Sequence, residues 1–250
     1  MTPLVSIIIP CYNHGCYLAE ALESVQQQTY PYWECVVVND ASQDDTIAVT
    51  QRFLVQDDRF RLLNKPHNEG LAAARNSGIA ATTGPYILPL DADDKIAPTY
   101  LEEGVAILNR YKQVNIVYSN VYQFGNLNTL VERPNFNIKM LAVQNQFHCS
   151  AIYRRSSFNK TEGYRTNMIY GYEDWDLWLQ MIKKNADCYK IPKPLVYLRS
   201  KADSMYLQLT EHAQKELAMR ALLRTNNRDF FKKHAKGKTI FQKIIDRIIP

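Results

Sequence analysis

Leu90-Asp91-Ala92-Asp93-Asp94 places three carboxylates directly behind the apolar run Tyr86-Ile87-Leu88-Pro89-Leu90. Extended geometry carried a few residues past that run turns Asp91 and Asp93 to one side and Asp94 to the other. Two convergent carboxylates supply the hard oxygen ligands that Mg²⁺ and Mn²⁺ take. An Asp-rich turn or a helix N-cap ahead of Ile96-Ala97-Pro98 accounts for the same residues equally well. A second acidic group, Glu173-Asp174-Trp175-Asp176-Leu177-Trp178, opens a helical pattern after Gly171-Tyr172. The helix dipole favours acids in a first turn, so capping alone suffices there. Yet Tyr172, Trp175 and Trp178 beside Glu173 and Asp174 also build an apolar wall next to carboxylates, a setting for sugar stacking and a general base.

Two further positions carry polar groups with a chemical use. Asp40 closes Val36-Val37-Val38-Asn39-Asp40, where an acceptor takes the N3–H of a pyrimidine or, more simply, makes an Asx turn. Asn68-Glu69-Gly70-Leu71-Ala72-Ala73-Ala74-Arg75-Asn76 starts a helix whose small residues permit close packing. Arg75 then faces a diphosphate or lies solvated on that helix.

These residues need a frame that brings strand ends together. Period and β-branching predict strands Leu4–Ile9, Trp33–Val38, Arg59–Asn64 and Tyr86–Leu90, with helices about Gly15–Gln27, Asp44–Val55 and Gly70–Ala80 between them. Runs such as Ile7-Ile8-Ile9 suit strands covered on both faces, so the expected class is α/β with a mostly parallel central sheet flanked by helices. Ligands of such sheets bind beyond the carboxyl ends of the strands, where the polar groups above fall. Beyond Asp94 the pattern predicts a helix Pro98–Asn109, a strand Ile116–Tyr122, a polar loop to about Asn137, Cys149–Tyr153 extended, a helix from Glu173 to about Lys184, strands around 187–198, and helix again from about 207. One continuous domain over 1–205 fits, with a nucleotide-binding half (1–95), an acceptor half (96–205) and a helical, basic extension (206–250).

Composition removes several classes. The 250 residues are 46% hydrophobic and 22% charged, enough apolar material for a core and too little charge for disorder. Only nine glycines occur, none closer than six apart, which excludes the Gly-x-Gly-x-x-Gly turn and the Gly-x4-Gly-Lys phosphate loop. Five cysteines with no Cys-x-x-Cys pair point to buried thiols in a reducing compartment rather than zinc. The start lacks a basic leader, and the charge-free stretch 113–131 is interrupted by Gln113, Asn115, Ser119, Asn120 and Gln123. A cytoplasmic location follows as the expectation.

Taken in order, Ser6-Ile7-Ile8-Ile9-Pro10-Cys11-Tyr12-Asn13, Gln28-Thr29-Tyr30, Val38-Asn39-Asp40-Ala41-Ser42-Gln43-Asp44-Asp45-Thr46, Asn68 to Asn76, Leu90 to Asp94 and Glu173 to Trp178 resemble the successive motifs of the family 2 inverting glycosyltransferases of GT-A fold. The match runs from about residue 4 to 200. The resemblance implies transfer of a sugar, with inversion, from a nucleoside-diphosphate donor such as a UDP-sugar to a glycan or lipid-linked saccharide hydroxyl. The sugar would be a hexose or N-acetylhexosamine. It implies that Pro10 and Tyr12 border the base, Asp40 accepts from uracil, and Arg75 approaches the nucleotide. Asp91 would contact ribose or base and share with Asp93 a bound Mn²⁺ or Mg²⁺, while Asp174, with Glu173 beside it, would be the general base. Members of the family often carry Tyr-Arg-x-His after the last core strand; here Tyr197-Leu198-Arg199-Ser200-Lys201 puts Lys201 where the His is expected. Lys201 then meets phosphate directly, and His148 is a weaker substitute ligand. A noncatalytic nucleotide- or sugar-binding module and a sugar-nucleotide pyrophosphorylase are the competing readings.

The net charge of +5 is uneven: residues 224–250 hold eight Lys or Arg against Asp229 and Asp246, leaving the body slightly acidic. Within that tail Ile240, Phe241, Ile244, Ile245, Ile248 and Ile249 recur at helical spacing, with Lys243 and Arg247 on another face. An interfacial helix on an anionic membrane, at the inner face of the plasma membrane, fits this pattern, as does docking onto the body or a second subunit. Nucleic acid is not expected, because Phe230, Phe231 and Phe241 suit an apolar face better than a stacking platform.

Overall fold

Alternation within the buried runs settles which helices cover which face. Ile7 and Ile9 join Leu18, Leu22, Val25, Val37, Leu88, Tyr100 and Leu101 in one apolar cluster, while Ile8 between them joins Val36, Val38, Ala72, Ala74, Ile79 and Ile87 in another. Successive strand residues point to opposite faces, so one strand serves both cores. The computed structural model describes residues 2–202 and 209–234. Within them the order is β1 (Val5–Cys11), α1 (Gly15–Gln26), β2 (Trp33–Asn39), α2 (Thr46–Gln56), β3 (Phe60–Asn64), α3 (Leu71–Ala80), β4 (Tyr86–Pro89), β5 (Lys95–Ile96) and α4 (Tyr100–Arg110). There follow β6 (Ile116–Gly125), β7 (Thr129–Val131), α5 (Ile138–Leu141), β8 (Ile152–Arg154), α6 (Arg155–Phe158), α7 (Glu173–Met181), β9 (Cys188–Ser200), α8 (Ala213–Asn226) and α9 (Arg228–His234).

The described strands form one mixed sheet in the order β3-β2-β1-β4-β8-β6-β9-β5, with β7 paired to β6. β3, β2, β1 and β4 are parallel, as expected of the first half. β8 runs antiparallel between β4 and β6, and β5 antiparallel along β9. The second half departs from the sequence expectation in detail. Of Cys149–Tyr153 only the end is strand, so Cys149 stays free to face the strand termini. The helix begun at Glu173 stops at Met181, because Ile182 is already extended at φ −89° and ψ 127°. The amphipathic run Ile240 to Ile249 lies outside the described residues.

α3 lies unusually close to the sheet. A Cβ on Gly78 would stand 2.5 Å from Ile8 Cγ2 and 2.9 Å from Val38 Cγ2, so only a residue without a side chain lets this helix approach. That approach sinks Arg75, one turn earlier, beneath the surface. β9 runs parallel to β6 through a register shift at Ser119–Val121. Its last residues, Arg199 and Ser200, and Lys201 after them, thereby reach the Asp93–Asp94 turn, and the Arg199 amide donates to Asp94 Oδ1 at 2.8 Å.

Candidate active site

Three non-glycine residues have positive φ among the described residues: Asn13 (54°), Ala41 (63°) and Tyr172 (66°). They follow β1, follow β2 and precede α7, three of the segments that carry the candidate chemistry. Backbone in this region persists where neighbours over-determine it. Asn13 shows how: its amide donates to Ser42 Oγ at 3.0 Å and its Oδ1 accepts from the Gln43 amide at 2.8 Å. The α2 cap falls to Asp44, whose Oδ1 accepts from the Thr46 amide while Oδ2 accepts from the Gly15 amide. Asp40 is 2% exposed, and its oxygens accept from the amides of Glu69 (3.1 Å) and Gly70 (2.8 Å) with Lys65 Nζ 3.3 Å away. Asp40 thus braces the loop that launches α3. Pro10 is buried below the rim, where Tyr12 stands 47% exposed.

Asp91 to Asp94 form a turn, with the Asp94 amide donating to the Asp91 carbonyl at 3.0 Å, rather than the extended arrangement expected from sequence. The chain must reverse here to start β5, which brings Asp91 near Asp94 and turns Asp93 to a different partner, unlike the Asp91–Asp93 pairing expected from sequence. Asp91 meets Arg75 at 2.6 Å, Asp93 meets Lys201 Nζ at 2.7 Å, and Asp94 is buried under the Arg199 amide. Burial raises the proton affinity of Asp91, but the Arg75 guanidinium outweighs it and holds the carboxyl below its ordinary range. Asp94 has no such partner. Burial first, then the charges of Asp93 and Asp91, push it well above the usual carboxylate range. Arg75 itself is 1% exposed, with one nitrogen on Asp91 and another on Glu173 at 2.5 Å. The helix arginine expected to face a nucleotide is instead enclosed between two carboxylates.

Glu173 and Asp174 open α7 and play unequal parts. Glu173 is 7% exposed and taken by Arg75. Asp174 is half-buried, accepting from Asn145 Nδ2 at 2.8 Å and from the Trp175 amide at 2.6 Å. Burial and the neighbouring Glu173 charge push the Asp174 carboxyl up to about 7, against the opposing pull of Arg75 and these hydrogen bonds. The tryptophans do not form the expected stacking wall. Trp175 is 2% and Trp178 0% exposed: Trp178 packs edge-on against Tyr153 of β8, and Trp175, three positions earlier, donates Nε1 to the Leu141 carbonyl of α5. Their contribution is a low-dielectric floor under the acidic pair. Asp176, also buried, accepts from Arg165 and Asn227, tying α8 to α7.

Two residues that the sequence reading did not place in the site join it. Cys149 donates its thiol to Asp91 Oδ2 at 3.2 Å; burial, then the Asp91 charge, push that thiol upward and keep it protonated. Its position just ahead of a strand was the available signal. Asn145, in a loop without periodicity, offered none. His148, the substitute ligand expected from sequence, belongs elsewhere: its Nε2 accepts from the Ser119 amide, and burial then Arg133 lower its pKa to about 3. Of the five cysteines, all free, Cys16 is exposed, contrary to the expectation of buried thiols throughout.

The turn suits a hard divalent cation. Asp91, Asp94 and Cys149 each bring a ligand atom within 4.8 Å of the others, and Asp93 adds a carboxylate one residue away. Repulsion among these carboxylates, visible in the upward shift of Asp94, is what a cation relieves. Oxygen donors match Mg²⁺ or Mn²⁺, whereas the protonated thiol does not.

Known proteins resemble this chain in sequence and in fold. The chain is 30% identical over 208 residues to EpsE of Bacillus subtilis, assigned as a glycosyltransferase, covering 81% of this chain and 75% of the relative. It is 33% identical over 148 residues to glycosyltransferase GlyG of Streptococcus pneumoniae, covering 58% of this chain and only 49% of that longer protein. Among solved structures, S. aureus TarS 1-349 in complex with UDP-GlcNAc superposes with a TM-score of 0.72 at 16% identity, over 98% of this chain and 70% of the other. The mannosyltransferase PcManGT of Pyrobaculum calidifontis, in complex with GDP-Man and Mn²⁺, gives 0.70 at 21% identity, over 98% and 69%. These likenesses establish the GT-A fold that the motif resemblance had implied. The family profile described as "Glycosyl transferase family 2" matches residues 6–171, from the β1 motif to the threshold of α7, and the chain is a member of that family of glycosyltransferases.

Proposed function

We propose that the protein transfers a sugar, with inversion, from a UDP-sugar to a hydroxyl of a glycan or lipid-linked saccharide. The observation that carries this reading is Asp174, a half-buried carboxyl with a pKa of about 7 at the start of α7. A base with that proton affinity takes a proton from a hydroxyl efficiently near neutral pH. Asp174 accepts the acceptor's proton as its oxygen bonds to the anomeric carbon, and the bond from that carbon to the diphosphate breaks on the opposite face. The leaving diphosphate keeps the electron pair. One base suffices, since no sugar–enzyme bond forms. Residues 1–95 take the nucleotide: Pro10, Tyr12 and Asp40 border the base, and Asp91 meets the ribose. Lys201, at the end of β9, offers its ammonium to the diphosphate. Asp93 with Asp91 would hold Mn²⁺ or Mg²⁺, which would supply charge neutralisation for the leaving diphosphate. Residues 96–205 receive the acceptor, and 206–250 are an extension.

A uridine donor is supported by the UDP-GlcNAc complex of TarS; the PcManGT complex with GDP-Man marks guanosine as the contrasting outcome. The test is UDP or GDP release from UDP-GlcNAc, UDP-glucose and GDP-mannose with Mn²⁺ and a panel of saccharide acceptors. Acceptor-dependent UDP release with an inverted anomeric product is expected. Binding of UDP without any transfer would favour the noncatalytic module.

A further inference from the structure

Among the described residues, Arg75 is the one charged side chain that touches both halves of the acidic site. It is 1% exposed and fully enclosed, yet it stands on α3, 98 positions from Glu173 and 16 from Asp91. One guanidinium nitrogen meets Asp91 at 2.6 Å and the other meets Glu173 at 2.5 Å, while the carbon lies 5.4 Å from the Tyr164 ring centre. Nε has no hydrogen-bond partner, so the side chain is held in place by its two carboxylates and the ring. A guanidinium so occupied presents no fork to a diphosphate.

Two adjacent carboxylates at one helix start compete for a proton, and their surroundings decide which takes it. Here the surroundings differ in kind. Glu173 has a charge-assisted bond to a buried guanidinium. Asp174 has an amide from Asn145, its own helix N–H and no direct cation in its hydrogen-bond set. The Asp174 charge also reaches the Cys149 thiol in the segment before β8, and from α8 the Arg220 guanidinium lies 5.4 Å from the ring centre of the neighbouring Trp175.

We propose that Arg75 is a positioning residue: by clamping Glu173 to Asp91 it keeps Glu173 engaged in a charge-assisted bond and leaves Asp174 as the carboxyl that exchanges the proton. The inference rests on the function proposed above and deepens it, since it names what divides the work within the acidic pair and joins the donor-side turn to the base. A donor that displaces Asp91 thereby also loads the clamp on Glu173.

The test reads carboxyl carbons by NMR in chelator, without substrate, using protein labelled with ¹³C at Asp and Glu carboxyls, Asp174 and Glu173 being assigned from Asp174→Asn and Glu173→Gln. In the wild type the Asp174 carbon should titrate near 7. In Arg75→Met the step should move to higher pH, and both carbons should report it, because the proton is now shared. Arg75→Lys, which keeps the charge and loses the fork, should fall between. In Glu173→Gln the Asp174 step should move to lower pH. UDP affinity by calorimetry should stay within a few-fold in Arg75→Met. The proposal is overturned if Glu173 and Asp174 already titrate together in the wild type, or if Arg75→Met leaves the step in place and weakens UDP at least tenfold, the mark of a phosphate contact. Should Arg75→Met fail to fold, Arg75→Lys and Glu173→Gln decide the matter. Because the titration needs no turnover, its outcome is separable from failure of the proposed transfer, which UDP release reads in the wild type.

Discussion

A base that must be unprotonated gives activity that rises with pH. Because burial and Glu173 lift Asp174 to about 7, transfer should climb through that pH and level above it, when measured as UDP release between pH 5 and 9. Asp174→Asn keeps the shape and still accepts from Asn145, but it takes no proton. Its turnover should fall by roughly 10²–10⁴-fold with UDP affinity within a few-fold; near-normal turnover would move the role to Glu173. The same substitution has a stability signature of known sign. A carboxyl whose folded pKa is raised contributes its stability below the unfolded pKa near 4, and that contribution is lost as pH rises through about 7. Asp174→Asn should therefore melt higher than the wild type at pH 8, and the difference should vanish at pH 4. Asp93 tests the cation separately. Calorimetry should show UDP binding strengthened by Mn²⁺ in the wild type, and Asp93→Ala should bind UDP equally with metal and with chelator. The acidic pair and the Asp-rich turn were legible from sequence because acids behind apolar runs stand out. The partners of Arg75 were not, since both are distant in sequence, and the tryptophans misled because a helix start does not reveal which side faces the sheet.

Strands buried on both faces announce themselves as apolar runs, which is why β1, β2 and β4 emerged in nearly their observed bounds, while the edge strand β3, with Arg61 and Asn64 exposed, showed through Phe60, Leu62 and Leu63. β5, β7 and β8 have two or three residues each, too few to display a period, and they form because a neighbour offers an edge. The placement of α3 was only half legible. Its small residues implied close packing, but which one touches the sheet depends on the register of β1 against β2. Gly78 is that residue, and it reverses the usual expectation. In an exposed helix Gly→Ala gains up to about 1 kcal/mol. Here the added methyl meets Ile8 Cγ2 and Val38 Cγ2, both on stiff β-branched side chains within the sheet. Gly78→Ala should cost about 1–3 kcal/mol in denaturant unfolding, and should lower turnover as well, because a displaced α3 carries Arg75 away from Glu173. A Gly78→Ala protein as stable as the wild type would mean that α3 can shift without cost.

Charge and apolar surface are divided between body and tail, and the structure refines where that division is best tested. α9 is packed: Phe230 and Phe231 lie against the apolar cluster that includes Trp175, and Asn227 just before it donates to Asp176 at 2.7 Å. Removing residues from Arg224 onward would strip these contacts and expose core, so sticking to lipid would carry no information. A chain ended at His234 keeps α8 and α9 and removes only residues 235–250, with Lys236, Lys238, Lys243 and Arg247 against Asp246 and the six apolar residues at helical spacing. Among the described residues no helix is long and apolar enough to cross a membrane. In 235–250 the apolar residues are interrupted by Lys236, Lys238, Lys243, Asp246 and Arg247, the pattern of an interfacial rather than a spanning segment. Anionic lipid should attract it by about 1 kcal/mol per basic residue near the surface, an attraction that salt screens. In vesicle flotation the full chain should rise with phosphatidylserine-containing vesicles, rise less with neutral ones, and lose much of the anionic binding at high salt, while the chain ended at His234 should stay at the bottom in every case. Equal flotation of both chains would assign the apolar stripe to packing on the body or on a second copy, and sedimentation of the two chains would then tell a monomer from a dimer.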